Sequence, residues 1–289
     1  MNATNLSTKH SSSYWIWRAV GQIATYALVI VGLLLFCVPV YYMVTTSVKA
    51  EWEVTALPIH WIPHEFKPEN YPEAFAVAPF GLYFYNSLVV AVAVMASTLF
   101  FSALAGYGFA KFDFPGKSLC FILVLSTLMI PFQILLIPLY VLVHSLGWTN
   151  SYAGLIIPGA LSAFGVFLMR QFCLTIPEEL LDAARIDGAG EIGIFLRIVW
   201  PLLKPPLASL AIITFLGSWN NFLWPLIVVN KGNLFTLPVG MTVFTQPLRA
   251  PYWTYIMAVS TVATLPVVVV FVALQKYFIQ GVVISGMKG

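Results

Sequence analysis

The chain has 289 residues, 60% of them apolar and only 9% charged, with a mean hydropathy of +0.89 and a formal net charge of +3. Average soluble domains carry roughly 25% charged residues, so this composition excludes an ordinary water-facing surface and specifies an integral membrane protein. The small net charge carries no nucleic-acid signature. The apolar runs are long and continuous, which disfavours an alternating closed β-barrel and predicts an all-α membrane protein.

Residues 1–18 read as a cytoplasmic N-terminal segment and 19–289 as one transmembrane domain. Lys9 and Arg18 precede an apolar run that continues without charge from Ala19 to Val48. The apolar core of a cleaved signal is about 7–15 residues, so this run is read as the first span. Spans needing roughly 20 residues each are predicted over 19–46, 82–109, 118–143, 152–172, 206–229 and 255–275. The charge-free stretch 118–169 is too long for one crossing, and the turn from His144 to Gly154 divides it. Prolines at 39, 131, 138, 158, 225 and 266 lie within apolar runs, where neighbouring helices can satisfy the carbonyls they free.

Orientation follows from the basic residues. With the N-terminus inside, the inner segments hold Lys9, Arg18, Lys111, Lys117, Arg170, Arg185, Arg197, Lys204, Lys276 and Lys288, and the outer ones only Lys49, Lys67, Lys231 and Arg249. Ten against four predicts both termini in the cytoplasm. Of the outer segments, 47–81 reads as a solvated connector, with a docking surface as the alternative, 144–151 as a tight hairpin, and 230–254 as a loop with Trp253 at interfacial depth.

Enzymatic chemistry finds no foothold. Cys37, Cys120 and Cys173 stand singly, without metal-ligand spacing, and read as packing residues. His60 and His64 are four apart, but Pro58 and Pro63 argue against a helix that would align them on a metal. Gly116-Lys117-Ser118 imitates the end of a phosphate-binding loop, yet Lys111 stands where that loop requires its first glycine. The chain is therefore expected to bind neither metal nor nucleotide itself. Apart from Arg170 at the inner end of 152–172, the predicted spans also lack the ionisable groups of ion-coupled carriers, so energy for uphill transport has to enter from outside them.

One polar island remains, Thr175 to Pro201. It holds Glu178, Glu179, Asp182, Asp187 and Glu191 with Arg185 and Arg197. Thr175 and Glu178 have capping-box spacing, Pro177 suits a first turn and Gly188 a stop. Leu180, Leu181, Ala184 and Ile186 are spaced to build one apolar face. A short amphipathic helix held out of the bilayer suits a partner's grip. Asp187, at the unfavourable negative end of that helix, is predicted to cap the next segment through the amide of Ala189 or Gly190.

At this island the chain resembles a known family. Asp182-Ala183-Ala184, Asp187-Gly188-Ala189, Ile198 and Pro201 resemble the EAA loop of ABC-importer permeases, and the form PEELLDAARIDGA is similar to the carbohydrate-uptake branch. Ala105 to Lys117, Thr214 to Val228, Phe235 to Met241 and the closing GMKG are similar to the smaller, maltose-type permease subunit. Asp182 departs from the usual Glu, and Trp200 from the usual Leu before the proline. Asp182 could instead simply pair with Arg185 on its own helix.

The resemblance implies that Glu178, Glu179, Leu180, Leu181, Asp182, Ala183, Ala184, Asp187 and Gly188 form a helix gripped by a separate ATPase subunit, with ATP and Mg bound there. Implied partners are a second homologous permease, two ATPase subunits, an extracytoplasmic solute-binding protein, membrane lipid and a carbohydrate substrate. Residues 231–250 would meet the binding protein and the tail Ile284 to Gly289 the ATPase dimer. Trp219, Asn220, Asn221 and Trp224 suit sugar faces and hydroxyls, but equally suit packing between helices. A non-sugar solute, or a non-transporting scaffold that recruits a nucleotide-binding protein, are the alternative readings.

Overall fold

The structure, a computed structural model, describes residues 12–245 and 252–286, with only the backbone for 12–16, 18, 19 and 277–286. Lys9, Arg249 and Lys288 lie outside the described residues, as do the tail beyond Gly286 and part of the 231–250 loop. The described chain is all α. Two compact units divide it: Met1–Tyr71 with Trp253–Thr261, and Pro72–Tyr252 with Val262–Gly289.

In the first unit, α1 (Ser12–Thr46) carries the apolar run and is followed by the short α2 (Glu51–Val54). The connector expected to be merely solvated is instead folded. Lys49 and Glu53 are buried, and Asn70 Nδ2 donates to the carbonyls of Ser47 (3.0 Å) and Lys49 (2.8 Å). The Glu51 carboxylate accepts the amides of Trp253 and Thr254 at 2.9 and 3.1 Å, capping the start of α15 (Trp253–Gly286). Sequence alone misses this because the cap comes from a residue about two hundred positions away.

The second unit is organised on α4 (Phe80–Lys111), which follows α3 (Asn70–Val77). Two glycines bring its main partner close. A Cβ at Gly106 would lie 2.7 Å from the Arg170 amide nitrogen of α8 (Ala163–Cys173), and one at Gly165 would collide with Ser102. Such close backbone approach between apolar helices supplies the packing that a lipid solvent cannot drive by hydrophobicity.

Three helices among the described residues are long and apolar enough to cross a membrane, and three bent helix pairs meet the same test when each pair is taken as one span. The stretch expected as one span over 118–143 is α5 (Lys117–Ser126) and α6 (Phe132–Ser145), bent by 106° where Pro131 forces Ile130 out of the helical region. Residues 152–172 comprise α7 (Tyr152–Ile156), a tight turn, and α8, bent by 43°. The stretch 206–229 is not one helix either. It is α12 (Lys204–Trp219), a break at 220–222, and α13 (Leu223–Val228). Asn221 makes that break, because its Oδ1 accepts the Trp224 amide and starts a new helix.

Candidate functional site

The polar island forms α9 (Glu178–Ile186), α10 (Glu191–Ile194), a π-helical segment (Phe195–Val199) and α11 (Trp200–Leu202). The expected capping box is absent. Pro177 occupies the N-cap, with φ −59° and ψ 136°, and the Thr175 hydroxyl donates back to the Phe172 carbonyl at 2.8 Å. Ile176 is buried in the core beneath, which draws the chain through in extended form and starts the helix too late for Thr175 to cap it. Glu178, freed from the box, pairs with Lys111 Nζ at 2.8 Å, and the same ammonium donates to the Ile176 carbonyl at 2.6 Å. Lys111 is only 3% exposed in its side chain.

The C-terminal stop forms as expected. Gly188 has φ +82°, its amide donates to Arg185, and the Ala189 amide donates to the Ala184 carbonyl. This is the Schellman arrangement. It also removes the predicted role of Asp187: the Ala189 amide donates to the Ala184 carbonyl, no hydrogen bond joins the Gly190 amide to the Asp187 carboxylate, and Asp187 is the exposed C-cap.

The single apolar face resolves into two. Leu181 is fully buried in a cluster with Tyr107, Met169, Cys173, Ile194 and Phe195, and Ala184 packs against it. Glu178, Glu179, Leu180, Asp182, Ala183, Ile186, Asp187 and Gly188 are exposed. Leu181 and Ala184 therefore seat the helix on its own chain, while Leu180 and Ala183 stay available.

A second tie holds the far half of α9. Arg185 donates to Asp182 at 2.7 Å through Nη1 and to Glu191 at 2.8 Å through Nε, and the Tyr107 hydroxyl donates to Glu191 at 3.0 Å. Glu191 and then Asp182 raise the Arg185 guanidinium above its ordinary value, so it stays charged. The intrahelical Asp182–Arg185 pair weighed against partner contact is thus present. Tyr107 and Lys111 lie one turn apart at the end of α4, so that span grips both halves of α9. Sequence reasoning missed both as partners; the signal was Lys111 as the first charge after a long apolar run, four residues from a tyrosine.

Below α10 the ladder widens. The Trp200 amide bonds the Phe195 carbonyl, one residue farther than in an α-helix, just before Pro201. Helices Glu191–Leu202 and Lys204–Trp219 meet at 77°. Single-turn π segments cluster at functional sites.

Higher on α4 a cavity of about 320 Å³ opens between Ser87, Val94, Thr98, Thr214, Ser218 and Thr236 among others, and none of the described residues lining it is charged. The breaks at 160–162 and 220–222 border it. Asn221 and Trp224 line this cavity, whereas Trp219 and Asn220 do not. Trp224 is buried and donates Nε1 to the Gly154 carbonyl at 2.9 Å; Trp219 is buried, stacks on Phe215 and donates to Ala263 at 3.2 Å. Both tryptophan rings are committed to packing, and Asn220 is exposed. Residues 230–240 fold back on the other end of α4, where Asn86 Nδ2 donates to the carbonyls of Asn233 and Phe235 at 3.0 and 2.9 Å and Ser87 accepts the Leu237 amide at 2.7 Å.

Residues 98–284 match the family model described as binding-protein-dependent transport system inner membrane component. The chain is similar to the arabinooligosaccharides transport system permease protein AraQ of Bacillus subtilis (strain 168), at 38% identity over 97% of this chain and 99% of that one. It is similar to the sn-glycerol-3-phosphate transport system permease protein UgpE of Yersinia enterocolitica, at 35% identity over 91% and 96%. A solved bacterial ABC transporter involved in import of the acidic polysaccharide alginate shares the fold, with a TM-score of 0.80 at 22% identity over 90% of this chain and 97% of that one. This all-α membrane permease belongs to the binding-protein-dependent transport system inner membrane component family.

Proposed function

We propose that the chain is a permease subunit of an ATP-driven importer that moves a carbohydrate delivered by an extracytoplasmic binding protein. The observation that carries the reading is the half-seated state of α9. Leu181 holds it to its own subunit, Lys111 and Glu191 hold it to α4, and Leu180, Ala183 and Glu179 are left for an ATPase subunit. Nucleotide chemistry, with its ATP and Mg, belongs to that partner. Closure of the ATPase pair would displace α9, and the displacement would pass through Tyr107 and Lys111 into α4. That helix carries cavity-lining Ser87, Val94 and Thr98 on the way to the 230–240 loop. A rigid strut joining both ends explains how a bundle with so few charges responds to a motor outside it.

The finer assembly proposed is a second homologous permease and two ATPase subunits, with both termini in the cytoplasm, an orientation supported by the bias of basic residues. Asn221 and Trp224 belong to the proposed substrate pathway as cavity lining, with the hydroxyls of Thr214 and Ser218 beside them. The uncharged lining supports a neutral saccharide over a phosphate ester.

The test is reconstitution of the whole transporter in vesicles with its binding protein and a panel of neutral saccharides, uronic oligosaccharides and glycerol phosphate. ATP-dependent accumulation of a neutral saccharide, abolished by Ala183→Trp on the free face of α9, is expected. Accumulation that survives Ala183→Trp would refute the role of α9, and accumulation of the phosphate ester alone would refute the substrate class.

A further inference from the structure

Residues 49–66 invert the usual order of a solvated loop. Lys49 and Glu53 are 0% and 1% exposed, whereas Trp52, Leu57, Ile59, Trp61, Ile62 and Phe66 face outward, Leu57 at 88% and Ile62 at 71%. The inward charges are satisfied within the segment. Lys49 Nζ donates to the His60 carbonyl and stands 4.7 Å from the centre of the Tyr42 ring. The Glu53 carboxylate accepts the amides of His64 and Glu65 at 2.8 and 3.0 Å. Among the acids nearer the surface, Glu51 is occupied by the start of α15, and Glu65 pairs with Lys67 at 3.2 Å. Folding has spent its polar groups on holding the segment's shape and has left an aromatic and aliphatic patch outside.

The position of the patch identifies what covers it. The Trp61 ring packs edge-on against Tyr42 at 5.9 Å between centroids, and Tyr42 lies one turn from the end of α1. The span Val20–Thr46 has none of its most apolar window buried in the chain, so its surface belongs to lipid or to another subunit's apolar face. The patch continues that surface to the helix end, where tryptophan and tyrosine favour headgroup depth. A connector in water turns lysine and glutamate outward and its large apolar groups inward; this one does the reverse.

We infer that residues 52–66 form an interfacial anchor whose partner is a lipid surface, with Leu57, Ile59, Ile62 and Phe66 inserted at the boundary between headgroups and acyl chains of the leaflet at the C-terminal end of α1. Because Glu51 at its base caps α15, the anchor fixes the ends of α1 and α15 at the membrane boundary. The inference rests on the membrane character of the chain and needs neither the saccharide nor the ATPase.

Spin labels at Leu57→Cys and Ile62→Cys, in the full transporter with Cys37, Cys120 and Cys173 replaced, would be measured in phospholipid vesicles by power saturation. A label at the exposed Lys231→Cys is the aqueous reference. Greater accessibility to oxygen than to a water-soluble nickel chelate is expected at 57 and 62 whether or not binding protein is present, with the opposite at 231 in its absence. Nickel-dominated accessibility at 57 and 62 would overturn the anchor in favour of a solvated connector. Protection from both reagents that appears only on adding binding protein would overturn it in favour of a protein-docking face. Both labelled positions are already exposed, and a second pair at Ile59 and Phe66 repeats the measurement should either first variant fail to assemble.

Discussion

Removing the Lys111 ammonium tests whether α4 holds the start of α9. In Lys111→Met the Ile176 carbonyl, on a buried residue, loses its donor, which costs about 1–3 kcal/mol for a polar group left unsatisfied. The Glu178 carboxylate is 55% exposed and rehydrates, so the lost ion pair adds at most about 1 kcal/mol. A total of roughly 1–4 kcal/mol, at about 1.4 kcal/mol per decade, lowers the ratio of seated to unseated α9 by roughly 5- to 700-fold. Hydrogen–deuterium exchange across 175–188 in the purified transporter reads that factor directly. In vesicles the same change should reduce solute moved per ATP consumed. Glu178→Gln keeps the Ile176 bond and should change exchange by no more than about fivefold, and Lys111→Arg should recover most of the protection. Equal effects of Lys111→Met and Glu178→Gln would refute the argument, because the buried carbonyl would then contribute nothing.

The two faces of α9 should separate in mutagenesis. Leu181→Ala removes a fully buried side chain at about 2–5 kcal/mol and should lower the thermal stability of the complex. Leu180→Ala, on the exposed side, should leave stability within about 0.5 kcal/mol while weakening ATPase docking, measured by co-purification. Gly188→Ala places a side chain at φ +82°, costing about 1–2 kcal/mol, and should accelerate exchange of the amides at 188 and 189. Burial raises the Glu53 carboxyl, but the amides of His64, Glu65 and Ala50 outweigh it and hold the group below its ordinary 4.5. A depressed folded value stabilises above the unfolded one, so the contribution is complete at neutral pH and is lost as pH falls through the folded value. Limited proteolysis of 52–66 should rise on acidification below 4.5, and Glu53→Gln should flatten that dependence.

Membrane class, the long apolar helices α1, α4 and α15 and the existence of α9 were legible in the chain, because each depends on neighbours in sequence. A charge-free run of thirty residues, a proline before Glu178 and a glycine after Asp187 act locally wherever the chain folds. Tertiary structure decided what those local signals leave open. Helical spacing marks a stripe without fixing which flank of it turns inward, so Leu181 was buried and Leu180 left exposed only by the packing of α9 onto Tyr107 and Met169. Ile176, claimed by the same core, cancelled a capping box whose spacing was correct. Asn221 broke a helix that hydropathy carries straight through, since a side-chain acceptor for the Trp224 amide does not register in an apolar average. Lys111 with Ile176, Tyr107 with Glu191 and Glu51 with Trp253 meet across 65, 84 and 202 positions. No local pattern encodes such pairings, because each exists only once packing has brought its two segments together.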